Sequence, residues 1–306
     1  MIYTLTLNPA IDYVVNVENY ISGAVNRTFG EKLLAGGKGI NVSTVLKNLG
    51  AETIAMGFLA GFTGELIKKM LDSDGIPNDF IFAENGYSRI NVKIKAGEET
   101  EINGRGADIS ENDISELFRR LDMIKNGDIL VLAGSVPKNI STDIYCEIME
   151  KTAEKNILTV VDATGDLLLK TLKYRPFLIK PNNFELEEIC GHSLKNDEET
   201  VIEMRNLQKL GAKNVLVSMA ENGALLLTEN GEIFRSEAVK GNVVNSTGAG
   251  DSMVAGFLAG WTKKQDFKYA LEMGISAGSA SAFSENLASK EEIEAVYELL
   301  LKKGAN

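Results

Sequence analysis

Short runs of unbroken apolar side chains recur through the middle of the chain and alternate with stretches of helical period. Ile129-Leu130-Val131-Leu132-Ala133, Ile157-Leu158-Thr159-Val160-Val161, Phe177-Leu178-Ile179 and Val215-Leu216-Val217 all have strand length. Strands that are apolar on both sides belong in a parallel sheet covered on both faces. Between them, Ile114, Leu117, Phe118 and Leu121 fall at i, i+3, i+4 and i+7 behind Ser110, with Asp113 placed to complete a capping box. A second such stripe is Val42, Val45, Leu46 and Leu49, stopped by Gly50. A third, Val254, Phe257, Leu258 and Trp261, follows Asp251. The alternation predicts an α/β fold, doubly wound, with a mostly parallel central sheet, helices on both faces and right-handed crossovers.

Two stretches depart from that rhythm. Residues 13–34 and 88–105 contain extended-looking pieces, Tyr13-Val14-Val15-Asn16-Val17 and Ile90-Asn91-Val92-Lys93-Ile94. The second alternates apolar and polar, as a half-exposed strand does, and Gly97-Glu98-Glu99 follows as a hairpin turn. The expected structure is a small β-element projecting from the main sheet. An antiparallel edge of that sheet has the same pattern. With no repeat, linker or low-complexity tract, residues 1–306 read as a single domain.

Composition narrows the function. At 306 residues and 44% hydrophobic, the chain can build a core without staples. The two cysteines, Cys146 and Cys190, have no zinc-like spacing and are expected to be inert thiols in a reducing compartment. No basic and apolar leader opens the chain and no apolar run is long enough to span a bilayer, so a cytoplasmic location is expected. The net charge of −11 disfavours nucleic-acid and membrane partners. A single histidine, His192, in a polar stretch, argues against histidine-based triads and metal sites.

Ligands of an open parallel sheet bind beyond the carboxyl ends of its strands. The apolar runs are followed by Gly134-Ser135, by Asp162, by Lys180-Pro181-Asn182-Asn183 with Glu185 beyond, and by Ser218. Turn chemistry alone places polar residues there, but the set is consistent with one binding rim. The strongest local signal is Asn245-Ser246-Thr247-Gly248-Ala249-Gly250-Asp251-Ser252, which opens an apolar helix. Glycines at a helix start leave amide N–H groups bare for an anion. A carboxylate beside them, Asp251, suits a base that takes a proton from an attacking hydroxyl, although acidic first-turn residues are common for other reasons. Neither a Walker A loop nor a dinucleotide fingerprint fits the sequence. A second cluster, Ala35-Gly36-Gly37-Lys38-Gly39-Ile40-Asn41, puts a cation at another helix start, with Asn41 one turn further on. Two such starts suggest two anionic ligands, a nucleotide and a phosphorylated co-substrate. Arg27, Arg89 and Arg105, in or beside the projecting element, are candidate further cations.

Taken together, the Gly248-Ala249-Gly250-Asp251 helix start, the 36–41 cluster and Asn182-x-x-Glu185 resemble the ribokinase-like, phosphofructokinase-B family of sugar kinases. The resemblance spans essentially the whole chain. Residues 7–12 and 35–50 are most similar to its branch of 1-phosphofructokinases and tagatose-6-phosphate kinases. It implies Asp251 as catalytic base and Gly248, Ala249 and Gly250 as an anion hole. It implies Asp12, Gly37, Lys38, Asn41, Arg89, Arg27, Arg105 and Ser135 as the substrate set, with Lys38 and Arg89 on the substrate's existing phosphate. For ATP it implies Lys180, Asn182, Ser218, Met219, Ala220, Glu221, Asn222, Gly223, Thr247, Gly250 and Asp251. Glu185 would organise Mg²⁺ through water, and residues 277–286 would lie near the nucleotide base. The projecting element would be a lid that also builds a homodimer. Asn103-Gly104-Arg105-Gly106-Ala107 departs from the Asn-x-Pro-Gly-Pro common in this branch.

The expected reaction is ATP-dependent phosphorylation of a ketohexose monophosphate, most simply fructose 1-phosphate to fructose 1,6-bisphosphate. The alternatives are tagatose 6-phosphate as substrate, fructose 6-phosphate after it, and, from another class, a non-catalytic sugar-phosphate sensor. A sensor would have no use for a base beside a phosphate.

Overall fold

The computed structural model describes residues 1–304. Its strands are β1 (Ile2–Thr6), β2 (Ala10–Val17), β3 (Thr28–Gly36), β4 (Thr53–Ala60), β5 (Asn78–Ala83), β6 (Arg89–Ala96), β7 (Glu98–Asn103), β8 (Ile129–Ala133), β9 (Leu158–Asp162), β10 (Leu178–Ile179), β11 (Asn214–Ser218), β12 (Ala224–Leu227) and β13 (Ile233–Ser236). The helices are α1 (Lys38–Asn48), α2 (Gly61–Ser73), α3 (Glu111–Leu121), α4 (Ile144–Thr152), α5 (Gly165–Leu169), α6 (Asn183–Cys190), α7 (Asp197–Leu210), α8 (Ala249–Lys264), α9 (Phe267–Phe283) and α10 (Lys290–Gly304).

Nine strands form the main sheet, in the order β13-β12-β11-β10-β9-β8-β1-β4-β5. All pair in parallel except β12 and β13, which add an antiparallel edge. Alternate residues of each inner strand feed two separate cores. Ile129, Val131 and Ala133 join the core under α1, α8, α9 and α10, while Leu130 and Leu132 join the one under α3, α4 and α7. That division is why the run is apolar throughout: neither face meets water. The α8–α9 pair is close because a Cβ at Gly256 would stand 2.4 Å from the Met273 carbonyl oxygen and one at Gly260 2.9 Å from Ala270 Cα. The capping box read at Ser110 and Asp113 is present, with both reciprocal bonds formed.

The departing stretches form a sheet of their own, in the order β3-β2-β6-β7, so they are not an edge of the main sheet. Its central pair, β2 and β6, is parallel, and β6 turns into β7 at Gly97, whose φ of +83° suits glycine. The alternation in β6 is real, but its polar side is not a solvent side. Asn91 and Lys93 are both buried. The other strand readings need small corrections: Ile157 and Phe177 lie just outside β9 and β10, whose pairing begins one residue later in each case.

Candidate active site

In the main sheet, β1 lies between β4 and β8, and the chain steps outward from it in both directions. The carboxyl ends of strands at such a switch point diverge and leave a cleft. Around it stand Thr6 ending β1 with Asn8 beyond it, Gly134 and Ser135 beyond β8, Asp162 ending β9, Lys180 beyond β10 and Ser218 ending β11. Two helices open onto this rim.

The first, α1, begins immediately after β3. Gly37 is its N-cap, with φ of +128°, and a Cβ there would stand 2.7 Å from Thr6 Cγ2. One at Gly39 would stand 2.5 Å from Thr6 Oγ1. The glycines therefore seat the helix start against the end of β1 and hold Lys38 and Asn41 over the cleft. The second, α8, begins at Gly248 in a left-handed conformation. The Ala249 N–H donates to the Ser246 carbonyl at 3.2 Å, and the Ser252 N–H to that of Gly248 at 2.8 Å. Among the described residues this leaves the Gly250 and Asp251 N–H groups without a protein acceptor. Gly250 also leaves space for Lys180, whose Nζ would be 3.5 Å from a Cβ at that position.

Asp251 is buried in the first turn of α8, and the Asn41 amide donates to its Oδ2 at 2.7 Å. Burial, and then the negative Asp162, push its carboxyl up to about 6, against the pull of Lys38, Asn41 and Lys180. Asp162 is fully buried, and both lysines address its Oδ1, Lys38 Nζ at 2.9 Å and Lys180 Nζ at 3.4 Å. Burial opposes the Asp162 charge, yet the two ammonium groups hold its carboxyl below the usual aspartate range. Among the described residues its Oδ2 has no partner. Burial likewise works against the Lys38 charge, but Asp162, Asp251 and Glu185 outweigh it and raise the ammonium above the ordinary lysine range. The result is a compact group of two lysines and two aspartates around the α8 amides.

Asn182 and Glu185 form a capping box on α6. The Glu185 N–H donates to Asn182 Oδ1 at 2.8 Å, and the Asn182 N–H donates to Glu185 Oε2 at 2.7 Å. The pattern thus has a local structural job, and Glu185 Oε1 is outside it. Residues 218–223 wrap from the end of β11 through a short 3-10 turn, where the Met219 N–H donates to the Gly223 carbonyl at 2.8 Å. Thr247 lies in the loop before α8, its N–H donating to Asn245 Oδ1 at 3.3 Å. The Val244 and Asn245 N–H groups donate to the Ala282 carbonyl, which draws that loop against the end of α9, where residues 277–286 begin.

A cavity of about 220 Å³ lies beside Lys38, lined by Thr6, Asn8, Gly37, Arg89, Gly134, Ser135 and Thr164 among others. Arg89 is half-buried there; burial lowers its pKa, Asp12 and Glu101 oppose that, and its Nε has no partner. A second cavity of about 320 Å³ lies between the smaller sheet and the α8 loop, and Asp12, Lys32, Lys93, Lys95 and Thr247 help line it. The structure does not bring the other two arginines into either cavity. Arg27 is exposed on the loop between β2 and β3. Arg105 is spent on an ion pair with Asp108 at 2.8 Å, and it is its carbonyl that faces the rim, accepting from Asn8 Nδ2 at 3.3 Å. Gly106 follows because a Cβ there would lie 2.3 Å from Asn8 Oδ1.

Comparison with known proteins settles the family. The profile of the pfkB family carbohydrate kinases matches residues 3–294. The chain belongs to that family. A 1-phosphofructokinase of Bacillus subtilis (strain 168) is 45% identical over 294 residues, 96% of each chain. A tagatose-6-phosphate kinase of Staphylococcus epidermidis is 33% identical over 294 residues, 93% of each. The crystal structure of phosphofructokinase-2 from Escherichia coli in complex with substrates and products is similar with a TM-score of 0.93 at 26% identity, covering 98% of this chain and 99% of that one.

The candidate site of this carbohydrate kinase includes groups that the motifs did not single out. Asp162 was legible only as the polar end of a strand. Gly134 was legible only in the same way, Asn8 only as part of the 7–12 resemblance, and Thr6 carried no chemical signal. Asn91 and Lys93 were hidden in an alternation that looks like a solvent face. A period-two run of Arg89, Asn91, Lys93 and Lys95, four polar residues on one side of a strand, was the signal that could have found them. Among the described residues no helix is long and apolar enough to cross a membrane.

Proposed function

We propose that this kinase transfers the terminal phosphoryl group of ATP to the free primary hydroxyl of a ketohexose monophosphate, with fructose 1-phosphate as the first choice. The observation that carries the reading is a single one: a buried Asp251, poised near pH 6, shares the first turn of α8 with two uncommitted N–H groups. In the proposed step, Asp251 accepts the proton of the C6 hydroxyl as its oxygen attacks the terminal phosphorus. The bond to the bridging oxygen breaks and ADP leaves. The Gly250 and Asp251 amides face the transferring oxygens, and Lys180, beside Gly250, adds positive charge. Asn41 holds the base toward the sugar. Arg89 and Lys38 are the proposed ligands of the phosphate the sugar already carries, with Ser135 and Gly37 beside them. Lys180, Asn182, Thr247 and the 218–223 loop are proposed to follow the nucleotide.

A divalent cation is proposed to enter on the phosphates of the nucleotide, because among the described residues no group of three carboxylate, histidine or cysteine side chains stands ready to hold one. Glu185 Oε1 is free of its capping box and is an oxygen suited to a hard cation, whereas Asp162 is fully buried with both lysines on its Oδ1. Glu185 is proposed to act through water. Mg²⁺ bound there would neutralise phosphate charge.

The smaller sheet is proposed as a lid that excludes water from the reacting groups and as a homodimer surface. The sheet and its β2–β3 loop expose apolar side chains that a monomer leaves in water, Phe29 at 74% and Val25 at 88% among them. The Asp251 geometry argues against a silent sensor.

An ADP-release assay over a phosphosugar panel tests the reading. Fructose 1-phosphate is expected to give the highest kcat/KM, ahead of tagatose 6-phosphate, fructose 6-phosphate and tagatose 1-phosphate. Turnover of tagatose 6-phosphate well above the rest would move the assignment to that substrate, and of fructose 6-phosphate to the third reading. No phosphosugar-dependent ADP release would remove it.

A further inference from the structure

Lys93 is a buried lysine that the proposed mechanism does not use. It sits on β6 with 6% of its surface exposed, which is costly for an ammonium unless carboxylates meet it. Two do. Its Nζ lies 3.3 Å from Asp12 Oδ2 on β2 and 3.4 Å from Glu101 Oε1 on β7. The register explains both contacts: Glu101 stands directly across from Lys93, and Asp12 stands across from Asn91, two residues back on the same face. Asn91 uses that position to donate its amide to Asp12 Oδ1 at 2.9 Å. The two Asp12 oxygens are therefore held from one strand by different groups. On the other side, Gly36 makes room for the carboxyl group, since a Cβ there would lie 2.7 Å from Asp12 Cγ.

We infer that Lys93, with Asn91, is a positioning residue that fixes the Asp12 carboxylate for the hydroxyls of the sugar, and that Glu101 anchors Lys93 from the outer strand. This rests on the phosphosugar-kinase reading above. A free aspartate side chain rotates among several staggered wells. Clamped at both oxygens, it meets the sugar already oriented, so less ordering is left to binding. The clamp crosses three strands, β2, β6 and β7, and ties the sugar-facing carboxylate to the rigidity of the whole small sheet. Lys93 touches Asp12 rather than reacting atoms, so its effect belongs in sugar affinity and not in nucleotide affinity.

The test compares Lys93→Met, Lys93→Arg, Asp12→Ala and the double variant Asp12→Ala/Lys93→Met, all by steady-state kinetics with the best substrate of the panel. Lys93→Met is expected to raise KM for the phosphosugar by roughly tenfold to a hundredfold while KM for ATP changes less than about threefold. Lys93→Arg is expected to recover most of that loss, because a guanidinium also pairs with a carboxylate. The double variant is expected to be no worse than Asp12→Ala alone, as coupled residues are not additive. Full additivity of the two losses would overturn the inference, since Lys93 would then act independently of Asp12. Equal rises in both KM values, with no rescue by arginine, would reduce Lys93 to a fold-maintaining residue and overturn it too. Failure of the phosphosugar reading itself shows separately, as a wild-type enzyme inactive on the whole panel.

Discussion

At the start of α1 every glycine is occupied from outside. The space over Gly36 is taken by the Asp12 carboxyl, and that over Gly37 and Gly39 by Thr6. At the start of α8, Gly248 is crowded in the same way, since a Cβ there would lie 2.7 Å from Leu287 Cδ2, but Gly250 does something else. Gly250 faces open space with only the tip of Lys180 at contact distance, and its N–H and that of Asp251 have no protein acceptor among the described residues. Two similar-looking clusters thus serve different physical ends. The first uses missing side chains for close packing, and so aims Lys38 and Asn41. The second packs Gly248 but leaves Gly250 open, so that bare donors are available to the proposed anion.

The largest expected break concerns the carboxylate of the second cluster. Asp251→Asn is expected to lower kcat by roughly 10³-fold or more with ATP affinity nearly unchanged, measured by turnover and by calorimetric titration of the nucleotide. A near-normal kcat would show that α8 supplies only an anion site.

Next, the glycines separate the clusters. Gly39→Ala is expected to cost about 1–3 kcal/mol in denaturant unfolding, because its Cβ would press on Thr6 and the Leu5 backbone. Gly250→Ala is expected to change stability by less than about 1 kcal/mol and to lower kcat by roughly tenfold to a hundredfold, because the methyl group shields the amides. Equal stability losses at the two positions would erase the contrast.

The cation of the first cluster comes third. Lys38→Ala is expected to raise KM for the phosphosugar by roughly tenfold or more. An unchanged KM would confine Lys38 to its ion pair with Asp162.

The pH response is smaller. The folded state raises the Asp251 pKa to about 6 from the model-peptide 3.8, so folding favours its protonated form. Stability from this group is present below about pH 4 and lost as pH rises through about 6. Asn cannot ionise, so Asp251→Asn is expected to unfold at higher denaturant than the wild type at pH 7.5, by about 1–3 kcal/mol, with the gap closing toward pH 4. Wild-type kcat, in contrast, is expected to fall below about pH 6 as the base is protonated. A pH-independent gap would detach the stability effect from Asp251 ionisation.

These regions also show what sequence reveals. The strands β8, β9 and β11 were legible because both of their faces are dry, which leaves an unbroken apolar run. The first strand, β1, was not: its Thr4 is buried by a hydroxyl chain through Ser43 to Thr53, each link 2.8 Å, and that pairing across 39 and 10 residues leaves no local pattern. The α8 site was legible because its chemistry is contiguous. The Lys38–Asp162–Lys180 group was not, because its partners come from α1, β9 and the end of β10 and meet only in the folded chain. In β6, alternation identified the strand correctly but could not say which side faced water, and Asn91 and Lys93 were lost to that ambiguity.

One residue separates the small sheet from the charged group at the cleft. Strand β3 ends at Gly36 and α1 starts at Lys38, with Gly37 as the joint between them. If the small sheet closes as the proposed lid, its tilt would reach the Lys38 ammonium and, through Asp162, Lys180 across this single residue. Under that reading, gripping the sugar and resetting the electric field at the phosphate would be two ends of one lever, and a stiffened joint would cost the enzyme the timing between them even if every charged group were kept.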